Sequence, residues 1–320
     1  MVWALAPGLA QHELDAITRF PRTIMIPGFT NARITVADNV SLSVNTAGRG
    51  RALLLLHGYP QTHYIWRHLG PRWAERFFVV APDLKGYGAS DAPAATADSA
   101  NYSKRVMAAE CVDLMRSLGH ERFAVVGHDR GGRVAYRLAM DHPDRVTQLV
   151  TLDIIPTGAM WDATNKTSAI NGFHWAFLAQ PAPFPEQLIG ADPDYFLRTL
   201  TRKWAVDFER IGDEAMGEYC RAFRRPEVIA ATCADYRAGA TIDDALDHAD
   251  LDAGRKILAP VLAIWSERFV GTRQTSAADP LAIWRRYAND VRGFAVKSGH
   301  FIPEEAPEAV LTAITDFIES

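Results

Sequence analysis

The sequence predicts an α/β fold built on a mostly parallel sheet covered on both faces, with a helical insertion near its middle. Three observations carry this. The runs ALLLLH at 52–57, FFVVAPD at 77–83 and FAVVGH at 123–128 are almost continuously apolar, as strands buried on both faces must be. Helical stretches alternate with them. The alternation stops between about Pro156 and about Asp250 and resumes at PVLAIWSE, residues 260–267.

In chain order, MVWALAPGLAQHELDAITRF has no basic leader, and Glu13 and Asp15 follow its short apolar run. It reads as a surface helix or arm and not as a signal peptide. RITV and LSVNTA form a hairpin pair, and GRGR turns the chain into the first buried strand. A helix over about 104–118 repeats Met107, Cys111, Leu114, Met115 and Leu118 on one face. FAVVGH, a helix after Asp129 and the strand VTQLVTLD at 146–153 follow. The segments NGFHWAFLAQ, DYFLRTLTRKW and GEYCRAFRR read as helices with no strand between them. The strand VRGFAVKSGH at 291–300 and the helix PEEAPEAVLTAITDFI close the chain. The expected organisation is an N-terminal extension at 1–26, a core of 27–155 and 251–320, and a cap at 156–250. An insertion at the carboxyl ends of the strands lies over the ligand crevice of such a sheet.

Composition excludes several classes. Hydrophobic residues are 48% and charged residues 22% of the 320, an ordinary globular balance. A net charge of -4 argues against nucleic acid as a partner. The three cysteines (Cys111, Cys220, Cys233) lack metal or disulfide spacing, which fits a reducing cytoplasm. No apolar run approaches the roughly 18 to 20 residues that span a bilayer. A soluble cytoplasmic protein is expected.

The chemistry begins at GHDRGGR, residues 127–133, between a strand and a helix. It has the form of the nucleophile elbow G-x-S-x-G with Asp129 in place of serine. A helix-capping aspartate is the plainer reading, but it does not explain glycines on both sides. HGYP at 57–60 follows a buried strand, where the backbone N–H groups of Tyr59 and Arg130 would form an oxyanion hole. DLKGYGAS at 83–90 reads as a structural loop. His300, in SGHF after the last strand, has the chain order of a general base. Its acid partner is either Asp153, ending the strand after the nucleophile helix, or Glu267, just past the next strand.

An aspartate nucleophile displaces a leaving group from saturated carbon, giving an ester that water activated by His300 then hydrolyses. The leaving group is a halide or an epoxide oxygen. Arg130 and Arg133 oppose the helix dipole at a cost of about 0.3–1 kcal/mol each. Ion pairing with nearby acids is the usual fate of an arginine. Beside a nucleophile, two of them on one helical face make a fork for a substrate carboxylate, held bidentately. In the insertion, imidazole, indole and phenol donors would assist a departing halide, but composition and spacing do not single out which.

GHDRGGR, HGYPQTH, DLKGYGASD, LDIIPT, HWAFLAQPAPFPE, GADPDYF, DYRAG and SGHF together resemble the fluoroacetate dehalogenases, a haloacetate dehalogenase branch of the α/β-hydrolases. The resemblance runs from about Pro27 to the C-terminus and includes the insertion. It implies an α/β-hydrolase fold with a mostly parallel eight-stranded sheet and a helical cap. It implies hydrolysis of short 2-haloacids, fluoroacetate to glycolate and fluoride among them, with no cofactor or metal and a homodimeric assembly. Residue by residue, it makes Asp129 the nucleophile, His300 the base and Asp153 its acid partner, demoting Glu267. It gives carboxylate binding to Arg130 and Arg133, halide binding to His174, Trp175 and Tyr236, and a pocket wall to Trp204. Two segments have no counterpart in the resemblance: the N-terminal extension and the loop SERFVGTRQTSAADP. The rival reading is an epoxide hydrolase, which needs two cap tyrosines; Tyr236 is one, and Tyr195 or Tyr219 the other. A non-catalytic binder of small carboxylates is the third, opposed by the complete Asp–His–Asp set.

Overall fold

The computed structural model describes residues 24–37, 40–268 and 279–320. Most of the N-terminal extension (1–23) and most of the loop at 266–279 (269–278) lie outside the described residues.

The described strands are β1 (Thr30–Ala37), β2 (Val40–Gly48), β3 (Ala52–Leu56), β4 (Phe78–Pro82), β5 (Phe123–His128), β6 (Val146–Leu152), β7 (Val261–Ser266) and β8 (Val291–Val296). They form one eight-stranded sheet in the order β1-β2-β4-β3-β5-β6-β7-β8. The predicted hairpin β1–β2 is antiparallel, as is the β2–β4 pair, and every other pairing is parallel. β3 and β5 are buried along their whole length. Leu53 to Leu56 are fully inaccessible, and each leucine so buried contributes about 1.5–3 kcal/mol. This pair sits at the centre of the sheet and carries the two loops that matter, HGYP and GHDRG.

Between β6 and β7 the chain is helical, from Thr157–Asp162 through to Ile242–Asp252. The last of these helices continues past residue 250, so the expected division there falls inside a helix. How this layer docks follows from the helix Asp129–Asp141, whose residues 129–140 are all buried. Arg130, Arg133 and Arg137 lie three and four apart on one face and meet acceptors at or beyond β6. Arg137 donates to Asp247 (2.8 Å) and Asp250 (2.6 Å) on the helix Ile242–Asp252. Arg133 donates to the Ile155 carbonyl (3.0 Å) and to Thr157 Oγ1 (3.1 Å). Arg130 pairs with Asp235 on the helix Pro226–Ala240. Buried ion pairs of this kind add little net stability, but they fix one arrangement, because a misplaced charge would stand unpaired in an apolar interior.

Among the described residues no helix is long and apolar enough to cross a membrane.

Candidate active site

Asp129 ends β5 in a turn that only certain residues can build. Its φ is +47°, a left-handed conformation rare for a side-chain-bearing residue and a source of local strain. Two glycines make the turn possible. A Cβ on Gly127 would lie 2.5 Å from the Gly131 carbonyl oxygen, and one on Gly131 would lie 2.3 Å from the Leu56 and His57 carbonyl oxygens. The motif spacing therefore records backbone crowding.

Asp129 is set in its loop by donors. The Tyr59 N–H donates to Oδ1 at 2.9 Å, so half of the expected oxyanion hole already engages the carboxylate. Gly58 is required beside it, since a Cβ there would meet the Asp129 Cβ at 2.4 Å. Asp129 Oδ2 faces His300 Nε2 at 3.7 Å, an ion-pair distance longer than a hydrogen bond. Burial opposes the charge on Asp129, but His300, His128 and Arg130 outweigh it and hold the carboxyl well below the usual range. The first turn of the helix also favours an anion there.

His300 Nδ1 meets Asp153 Oδ2 at 2.7 Å, and the Ser266 N–H donates to Asp153 Oδ1 at 2.8 Å. Glu267, the other candidate acid, is exposed at the end of β7. Burial pulls the imidazole towards neutrality, yet its contacts with Asp129 and Asp153 prevail and push its pKa up to about 9. In the resting enzyme at neutral pH, His300 is therefore an imidazolium between two carboxylates. His300 should thus titrate near 9 by NMR in the free protein. Titration at the ordinary histidine value would refute this charge state.

The predicted cap residues converge on the same place. His174, Trp175, Trp204 and Tyr236 are all buried. The His174 ring lies 4.5 Å from Trp204 and 5.7 Å from Tyr236, and Trp204 is 5.7 Å from His300. Burial lowers the His174 pKa to about 3 and raises Tyr236 well above 10, so one is a neutral imidazole and the other a protonated phenol. The arginines contact these rings. The Arg130 guanidinium sits 4.2 Å from the Tyr236 centroid, and that of Arg133 sits 4.4 Å from Trp175.

Arg130 is already largely engaged within the protein. Its Nε and Nη2 donate to the two oxygens of Asp235 at 3.0 and 2.8 Å, and Nη2 also reaches the Asp235 carbonyl at 2.7 Å. Only Nη1 is left. Among the described residues, Arg130 Nη1, Arg133 Nε, His174 Nδ1 and Tyr236 Oη are buried without a hydrogen-bond partner. Leaving a buried polar group unpaired costs about 1–3 kcal/mol, more for a charged one. With the Tyr59 hydroxyl, likewise unpartnered against Tyr236, these atoms are open to a polar ligand.

Sequence reasoning missed three supporting residues. Asp235 is the acceptor just described. His128 Nε2 lies 2.8 Å from the His300 carbonyl. Glu305 accepts from the backbone N–H groups of Val206, Asp207, Gly299 and Phe301, binding the His300 loop to the end of the helix Pro193–Trp204. The acidic pair after SGHF was the available signal for Glu305. Of the tyrosines weighed as a second proton donor, Tyr195 is 70% exposed. Tyr219 donates to Glu304 at 2.9 Å.

Comparison with known proteins agrees with this geometry. The sequence profile of the alpha/beta hydrolase fold matches residues 51–307. A fluoroacetate dehalogenase from Burkholderia sp is 41% identical over 297 residues, covering 92% of this chain and 95% of its own length. A soluble epoxide hydrolase from Corynebacterium sp. (strain C12) is 34% identical over 85% of this chain and 91% of its own length. Among solved structures, an alpha/beta hydrolase from Nostoc sp PCC 7120 superposes with a TM-score of 0.88. It is 48% identical and covers 92% of this chain and 99% of the other.

Proposed function

Since the chain belongs to the α/β-hydrolase fold family, we propose that it hydrolyses the carbon–halogen bond of short 2-haloacids, fluoroacetate among them, to the 2-hydroxyacid and halide. The observation that carries this reading is the set of unpartnered buried donors, two cationic and two neutral, around Asp129. The cationic pair suits a carboxylate. The neutral pair on the cap suits a departing halide, which needs hydrogen bonds but not a permanent counter-charge.

In the reaction, Arg130 Nη1 and Arg133 Nε hold the substrate carboxylate. A lone pair of Asp129 Oδ2 attacks the halogen-bearing carbon, a C–O bond forms and the C–X bond breaks with its electrons on the halide. His174 and Tyr236, with Trp175 beside them, receive that halide. Loss of the Asp129 charge on esterification lowers the His300 pKa, and the imidazolium releases its Nε2 proton to solvent. Water then attacks the carbonyl carbon of the Asp129 ester, giving a proton to the neutral Nε2. The oxyanion falls to the Tyr59 and Arg130 N–H groups. The ester C–O bond then breaks and the 2-hydroxyacid leaves with the proton from His300. Asp153 orients the imidazole throughout, and Trp204 walls the pocket beside it.

Halide release from fluoroacetate, chloroacetate and 2-halopropionates, beside turnover of a styrene-oxide-type epoxide, tests the reading. Turnover of the epoxide with no halide from any haloacid would overturn it. Similarity to the Corynebacterium enzyme supports the epoxide alternative. Against that alternative stands the engagement of Tyr219 with Glu304 and the exposure of Tyr195, the two tyrosines weighed as the second phenol. The clamp makes a separate prediction. Arg133→Gln should lower kcat/KM for haloacids about 100-fold, the worth of a buried charged hydrogen bond. Unchanged kinetics would refute it.

A further inference from the structure

We propose that Asp235 is a positioning residue that determines how the protein meets a carboxylate, by seating Arg130 so that one nitrogen alone, Nη1, faces the ligand. This rests on the reading of Arg130 as a carboxylate contact. Asp235 is fully buried, and it takes Nε and Nη2 of Arg130 side-on through both oxygens and again through its own carbonyl. Three acceptors on two nitrogens leave the guanidinium no rotational freedom. Gly239, one turn further on the same helix, completes the seat: a Cβ there would lie 3.0 Å from Nη2 and 3.4 Å from Nη1.

Charge explains the rest of the arrangement. A carboxylate paired so fully with Arg130 would cancel the field that Arg130 offers an anionic ligand. Asp235 has a second cation, Lys104, in direct contact with Oδ1, and Tyr87 Oη donates to Oδ2 at 2.6 Å. Lys104 is itself held by Asp243, which accepts from the Lys104 backbone N–H at 2.8 Å and lies 3.8 Å from Nζ. Asp235 thus aligns Arg130 geometrically. The Lys104 amine, whose pKa burial and Arg130 push down, is shared between Asp235 and Asp243. None of these groups touches the reacting atoms, so Asp235 acts only through Arg130. The sequence neighbour of Asp235 is Tyr236, whose ring lies against the same guanidinium, so the seat also ties the carboxylate side of the pocket to the cap.

The test measures the affinity of acetate, an unreactive carboxylate, by calorimetry, alongside haloacid kinetics, in the wild type, Asp235→Asn and Gly239→Ala. The amide of Asp235→Asn turns a donor towards Nη2 and releases the guanidinium. The acetate Kd and the haloacid KM should rise together, by about 10- to 100-fold, with a much smaller change in kcat. Gly239→Ala, which leaves every charge in place, should shift both in the same direction by several-fold. It also keeps the proposal testable if Asp235→Asn does not fold. An equal loss in kcat with unchanged acetate affinity would mean that Asp235 only holds the cap, and would overturn the proposal. Acetate affinity that is insensitive to both variants would do the same. Absence of halide release from the wild type, with acetate binding still weakened in the variants, would overturn the dehalogenase reading and leave the Arg130 seat standing. A wild type that binds no acetate would overturn both.

Discussion

Asp129→Ala should abolish halide release, a loss on the order of 10⁴-fold or more, while the protein remains folded and still binds acetate. The size of the effect follows from what Asp129 supplies. In the proposed reaction it is the nucleophile, and the other carboxylate at His300, Asp153, is engaged by that ring and by the Ser266 N–H. The fold should survive because the deletion removes a buried charge held at a strained φ of +47°, and sites of that kind are maintained at some cost to stability. The proposed carboxylate donors lie on Arg130 and Arg133, so acetate binding should persist, as calorimetry on the same preparation will show. Halide release near the wild-type rate would eliminate Asp129 as the nucleophile, whatever the true substrate.

His300→Asn should separate the two halves of the reaction. Attack by Asp129 needs no proton removed, so one equivalent of halide should appear per site. Hydrolysis of the ester needs a base at the position of Nε2, 3.7 Å from Asp129 Oδ2, and asparagine supplies none. Steady turnover should then fall by about 10²- to 10⁴-fold, the usual contribution of a positioned general base. The alkylated peptide containing Asp129 should be found by intact-mass and peptide mass spectrometry. Loss of turnover without either the halide burst or the adduct would contradict the two-step scheme. The imidazolium in the resting state adds a further consequence. Its replacement by a neutral amide leaves the Asp129 carboxylate less compensated, so the burst itself should not be slower for want of a counter-charge on the nucleophile.

The parts of this protein differ in how far they could be read from sequence, and the difference is physical. GHDRGGR was legible because a strand-to-helix turn at +47° leaves no room for a Cβ at Gly127 or Gly131, and such crowding writes itself into adjacent residues. The central strands were legible because burial on both faces requires continuous apolar runs. His174, Trp175 and Tyr236 were not distinguishable from other cap aromatics by periodicity; only their likeness to a known family singled them out. Asp153 and Glu267 were equivalent by chain order, and the structure separates them by a 2.7 Å contact with His300 and by exposure at the end of β7.

The sequence by itself determined the sheet, the elbow and the class of chemistry, since each depends on residues close along the chain. The tertiary structure decided what the arginines do. Arg130 finds its acceptor 105 residues away on a separate helix, and that contact leaves Nη1 as the one Arg130 nitrogen without a partner. No local pattern encodes such a pairing. A buried guanidinium takes whichever carboxylate the packing of the cap brings within hydrogen-bond reach, and what remains unpaired after that packing is what a substrate can use.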